Sequence, residues 1–185
     1  RRLGARLRRC GVEAPERIVQ QQLQVGVTER GRLGAGALER GWNPFVYDGP
    51  GQQSMLFDQS TYFRPDWEAV LTPVVDTLLA RPDVRADQLA GYGLSQAGYW
   101  LPRALAFEHR LAAAVVDPGV VDVSTSWTEH LSKGMISQLR EGERKPFNRA
   151  MGLAVRLPGL ARTLTYRARP YRHSDWFDLY RTVME

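Results

Sequence analysis

The sequence predicts an α/β protein: a parallel sheet flanked by helices, followed by a region built of helices alone. Three observations predict it. Between Asn43 and Val116 the chain alternates strand, helix, strand, helix, strand, each read from apolar spacing. A serine with small neighbours, Ser95, falls where one strand meets its following helix. Beyond Val123 no segment of comparable strand quality occurs.

Taken in order, residues 1–32 are rich in Arg, Gln and Gly, and their best strand signal is the alternation Leu23, Val25, Val27. Leu33 to Arg40 reads as the end of a helix closed by Gly41, and Asn43 to Tyr47 as a short strand. That strand runs into the tight turn Asp48-Gly49-Pro50-Gly51-Gln52. From Asp66, the residues Trp67, Val70, Leu71, Val74, Val75, Leu78 and Leu79 have the spacing of one helix face, with Pro73 expected to kink it and Pro82 beyond its end. Leu89 to Gly93 predicts a strand, Ala97 to Phe107 a helix, and Leu111 to Val116 another strand. Such alternation favours parallel strands with helices on both faces.

After Asp117-Pro118-Gly119 the texture changes. Ser126 with Glu129 predicts a capping box, and Pro146, Pro158 and Pro170 separate further helical pieces. The domain reading is therefore a poorly defined segment 1–32, a core 33–122 and a helical cap 123–185.

The 185 residues, 43% hydrophobic and 24% charged, suffice for one sizeable core and argue against wholesale disorder. The net charge of +5 and the pI near 9.7 raise nucleic-acid binding as a class. The charge is uneven: residues 1–40 carry net +5, residues 41–118 net −4 and residues 119–185 net +4. The segment with the clearest fold signal is thus acidic, and the arginines of residues 1–9 read as a solvated basic terminus. No nucleic-acid partner is expected. Lone Cys10 makes no internal disulfide, and no His/Cys/Asp spacing suits a metal. Without an apolar run of spanning length or a signal-peptide core, the sequence predicts a cytoplasmic protein with no membrane partner and no cofactor.

Ser95 is the candidate catalytic residue. A nucleophile held on a sharp strand-to-helix turn needs small residues two positions before and two after it, because the backbone doubles back on itself there. Gly93 and Ala97 occupy those positions, and Gly98 adds room. The helix that follows directs its N-terminal N–H groups towards a reacting carbonyl, so the backbone N–H of Gln96 is the candidate oxyanion-hole donor.

The runs GWNPFVYDGPGQQ (Gly41 to Gln53), RPDWEAVLTPVVDTLLARPDV (Arg64 to Val84) and GYGLSQAGYWLPRALAFEHRLAAAVVDPGVVDVS (Gly91 to Ser124) resemble the α/β-hydrolases, in particular the acylaminoacyl- or dipeptidyl-peptidase-like esterases. They are similar, more distantly, to the group containing 2,6-dihydropseudooxynicotine hydrolase, which shares the Asp-Gly-Pro-Gly-Gln turn. The resemblance implies a partial α/β-hydrolase fold with a helical cap, and an order of nucleophile, cap, acid and histidine. The last two are not found, so the chain reads as a fragment.

His109, His130 and His173 read as surface or packing residues rather than as the base. Asp117 ends a strand where some hydrolases place their acid, but Asp-Pro-Gly is also ordinary turn chemistry. Trp127, Trp176, Phe177 and Tyr180 suit either a substrate pocket or a buried helix face, and burial is the expectation. Tyr99 and Trp100 are expected to pack.

Two readings follow. In one, a serine hydrolase cleaves an ester or amide of a small molecule or short peptide through an acyl-enzyme on Ser95. In the other, the chain is a catalytically incomplete or non-enzymatic remnant.

Overall fold

The computed structural model describes the backbone of residues 17–22 and all of residues 34–184. They form two compact units. One comprises the described residues up to Asp48 together with Pro65–Gly119, the other Gly49–Arg64 together with the residues from Val120 onward. Strands β1 (Arg17–Gln22), β2 (Asn43–Tyr47), β3 (Ala90–Leu94) and β4 (Ala113–Asp117) all belong to the first, the sheet unit. So do helices α1 (34–39), α3 (Glu68–Leu79) and α4 (Ala97–Leu105). The helical unit holds α2 (Gln53–Phe57), α5 (Thr125–Thr128), α6 (Lys133–Glu141), α7 (Arg144–Ala154), α8 (Pro158–Ala168) and α9 (Trp176–Met184).

The sheet has the order β2-β1-β3-β4, and every neighbouring pair is parallel. Tyr47, Gln21, Gly93 and Val116 form one row across it, so the C-terminal ends of the four strands share an edge. The alternation Leu23, Val25, Val27 lies outside the described residues; the described strand precedes it, in a stretch ending in three glutamines. A strand paired on both sides draws its backbone hydrogen bonds from its neighbours whatever its side-chain pattern. The expected helix end at Gly41 is present, with φ 81° and the Trp42 N–H donating to the Ala37 carbonyl at 2.9 Å.

Helix α3 runs unbroken through Pro73 and buries Leu71, Val75 and Leu78. Trp67, just before it, is fully buried and stacks on Trp100 of α4 with ring centroids 4.1 Å apart and planes 8° from parallel. Arg103 on α4 grips Glu68 on α3 through two hydrogen bonds, of 2.9 and 3.2 Å. A second clamp lies past the far end of α4. The buried Glu108 carboxylate accepts from Arg110 Nε at 2.8 Å and Nη2 at 2.6 Å, while Arg110 Nη1 reaches Asp76 on α3 at 2.6 Å. These Arg110 bonds hold the Glu108 carboxyl down at about 2.

The helical unit packs around Trp127, Leu139, Phe147, Met151, Leu179 and Tyr180. Trp127 meets Tyr171 and Tyr180 edge-on, at 5.6 and 5.7 Å, and the Arg167 guanidinium covers its face at 4.4 Å. Gly49–Arg64, which the sequence places in the core segment, groups with these helices: Phe63 packs edge-on to Tyr171 at 5.0 Å, and its N–H donates to the Pro170 carbonyl. The Asp-Gly-Pro-Gly-Gln turn is closed by the buried Gln52, whose Oε1 accepts from the Gly49 N–H at 2.6 Å. Gly51 has φ 77°, and a Cβ there would sit 2.0 Å from the Phe63 ring.

One local expectation is corrected. Ser126 makes no capping box with Glu129, because it lies inside α5 and its hydroxyl donates to the Val123 carbonyl at 3.1 Å. The N-cap is Ser124, whose N–H is held by Asp122 Oδ1 at 2.8 Å in a turn that leads into the helix.

Candidate active site

The strand-turn-helix around Ser95 is built from small residues at close quarters. Along β3 the side chains alternate, with Gly91 and Gly93 buried and Tyr92 half-buried on the opposite face. A Cβ on Gly93 would lie 2.5 Å from the carbonyl oxygen of Ala97 and 3.2 Å from Leu101 Cβ. Only glycine permits α4 to fold back so tightly on the strand that precedes it. Ala97 has no exposed surface.

Between them, Ser95 has φ 58°, the left-handed region that a non-glycine residue enters at a cost of order 1 kcal/mol or more. Two hydrogen bonds hold it there. Its N–H donates to the Asp117 carbonyl at 2.8 Å, and its own carbonyl accepts from the Gly98 N–H at 2.9 Å. Ser95 is exposed, one residue beyond the sheet's C-terminal edge, and Gln96 follows in helical conformation (φ −62°, ψ −23°) as the N-cap of α4. Asp48 leaves the same edge two strands away, about 10 Å by strand spacing.

Asp117 contributes twice. Beyond its carbonyl, its carboxylate Oδ2 accepts from the Tyr92 hydroxyl at 3.0 Å. Partial burial, and then this bond, raise the Tyr92 phenol above its ordinary pKa. The structure thus brings Asp117 to the elbow as a brace. This signal lay in the parallel pairing of two strands, which no local motif reports.

Of the histidines, His109 shares the sheet unit with Ser95 and lies away from it. His109 lies beyond the C-terminal end of α4 while Ser95 precedes its N-terminus, and a nine-residue helix is about 13 Å long. His130 is exposed beside Glu129 at 3.2 Å, and His173 Nδ1 is 2.8 Å from the Tyr171 carbonyl. Both belong to the helical unit, where His173 borders an open cavity of about 480 Å³ with Arg172, Ser174, Asp178, Arg181 and Thr182. The aromatic candidates are largely core: Trp127, Phe177 and Tyr180 are buried, and Trp176 packs partly buried against them. Among the described residues no group of His, Cys, Asp and Glu is placed to hold a metal, and no helix is long and apolar enough to cross a membrane.

No family model matches the chain. Curated proteins named hydrolase or hydrolyase are similar to part of it. The chain is 40% identical over 93 residues to hydrolase LUC6 of a Fusarium species, and 37% identical over 93 residues to 20-hydroxy-prefusarin hydrolase FUS2 of Gibberella moniliformis. Each match covers 48% of this chain and 22% of the relative. Hydrolase ORFZ of Pyricularia oryzae is 36% identical over 111 residues, 55% of this chain and 25% of its own. The chain thus spans about a quarter of the length of the curated relatives it matches. Among solved structures, 2,6-dihydroxy-pseudo-oxynicotine hydrolase is similar over 55% of this chain and 28% of that one, with 26% identity and a TM-score of 0.49. The parallel sheet with flanking helices is an α/β fold in its own right, and the curated relatives named above carry the name hydrolase. These relatives carry no peptidase name, so the resemblance to acylaminoacyl peptidases gains no support from them.

Proposed function

We propose that this chain carries the nucleophile of a serine hydrolase, with Ser95 Oγ attacking the carbonyl of an ester or amide. The single observation that supports the reading best is the left-handed Ser95, exposed between β3 and α4 and accommodated by Gly93. Such backbone strain clusters at functional turns, where it presents a hydroxyl clear of its own strand.

In the proposed reaction the Ser95 proton passes to a general base as the Oγ–carbon bond forms. The oxyanion is held by the Gln96 N–H at the start of α4. Collapse of the tetrahedral species expels the protonated alcohol or amine and leaves an acyl group on Ser95, which water then releases as the free acid. Among the described residues no imidazole is hydrogen-bonded to Ser95. His109, His130 and His173 are not proposed for that base. The name 20-hydroxy-prefusarin hydrolase favours a small organic ester or amide over a peptide. The acylaminoacyl- or dipeptidyl-peptidase-like assignment stays as the narrower alternative, and a cytoplasmic setting is part of the same proposal.

A fluorophosphonate probe tests the reading. Labelling of the wild-type chain that Ser95→Ala abolishes is the expected result. A folded chain that the probe never labels, or that Ser95→Ala labels equally, favours the non-enzymatic reading.

A further inference from the structure

Residues 144–173 contain eight Lys and Arg side chains and no Asp or Glu. Arg144 is engaged by Asp175 and Asp178, and Arg167 by Ser126 and Trp127. The other six, Lys145, Arg149, Arg156, Arg162, Arg169 and Arg172, are exposed and make no ion pair among the described residues.

Their arrangement is ordered by α7 and α8. Helix α7 buries Phe147 and Met151, which turns Lys145, Arg149, Leu153 and Arg156, spaced by four, four and three, outward as one stripe. Helix α8 buries Leu164 and Ala168 and leaves Arg162, Tyr166 and Arg169 outward. Three leucines stand at the corner between them: Leu153 is 62% exposed, Leu157 64% and Leu160 39%. A Cβ added to Gly152 or Gly159 would meet nothing within 4 Å, so both glycines face open space beside these leucines.

We propose that this corner docks the helical unit onto an anionic phospholipid surface, the leucines entering the interface and the six cations facing the headgroups. Exposed apolar residues with exposed cations before and after them in the chain match the two contributions to interfacial binding. Residues 144–173 of a second copy would bring cations against cations, which disfavours self-pairing of the corner. The lack of a spanning helix, from which the sequence excluded a membrane partner, bears on crossing a bilayer and not on lying against one. The inference does not depend on Ser95.

Flotation of the whole chain with vesicles tests it, comparing phosphatidylcholine alone with vesicles containing about a third phosphatidylserine. Binding to the anionic vesicles at least about tenfold stronger is expected, weakening in high salt. The arginines of residues 1–9 also attract anions, so the outcome turns on the corner. The double variant Leu153→Glu, Leu157→Glu should lose most of the binding while keeping the wild-type circular dichroism and melt. Arg149→Gln with Arg156→Gln should weaken it too and serves if the leucine variant misfolds. Equal binding to both vesicles, binding to neither, or anionic binding that the corner variants retain overturns the proposal. So does a leucine variant that changes only the oligomeric state on a sizing column, which would assign the corner to self-association.

Discussion

The carbonyl of Asp117, the last residue of β4, accepts the backbone N–H of Ser95 at 2.8 Å, so the strained turn is pinned by the neighbouring strand. The elbow is therefore a property of two strands and a helix. Because the bond uses backbone atoms, the Asp117 side chain is free to serve Tyr92 instead.

That arrangement makes Gly93 the position most sensitive to a single methyl group. Gly93→Ala places carbon 2.5 Å from the Ala97 carbonyl oxygen, and the contact is with backbone, which cannot swing aside. The expected cost is about 2–3 kcal/mol by denaturant melt, together with loss of probe labelling at Ser95. A variant as stable and reactive as wild type would show that the turn is looser than described.

Glu108 sets a pH dependence. Its folded pKa of about 2 lies below the ordinary 4.5, so the carboxylate contributes stability above the ordinary value, and that contribution is lost as pH falls from about 4.5 towards 2. Glu108→Gln should cost about 2 kcal/mol at neutral pH, discounted because the Arg110 side chain is 42% exposed, and should flatten stability against pH in that window. Urea melts across the acid range decide it; an unchanged slope would mean that the clamp contributes nothing.

Two glycines should respond in opposite directions to the same substitution. Gly152 lies inside α7 with open space around it, so Gly152→Ala should stabilise by about 0.5–1 kcal/mol. Gly51 combines φ 77° with the Phe63 ring 2.0 Å from its missing Cβ, and Gly51→Ala should destabilise by about 2 kcal/mol or more. Paired thermal melts provide the comparison.

Much of this was legible locally. The helix face from Trp67 to Leu79 follows from spacing within a few turns, and the end of α1 at Gly41 from one residue that tolerates positive φ. The elbow followed from Gly93 and Ala97 flanking a serine at a strand-to-helix junction. Each of these rests on steric limits that a short window of residues sets for itself.

The rest needed contacts between distant residues. The strand Arg17–Gln22 has no apolar pattern to announce it, and only pairing with β2 and β3 places it inside the sheet. Ser126 and Glu129 had the spacing of a capping box, yet the competing carboxylate of Asp122 closed that turn. The burial of Glu108 depends on Arg110 folding back over it, and the bracing role of Asp117 on Ser95 coming to its carbonyl. By itself the sequence determined which residues have room to turn sharply and which apolar faces must be covered. The tertiary structure decided which partners meet there, because hydrogen bonds and packing across strands depend on register, and register is a relation between segments that neither segment contains alone.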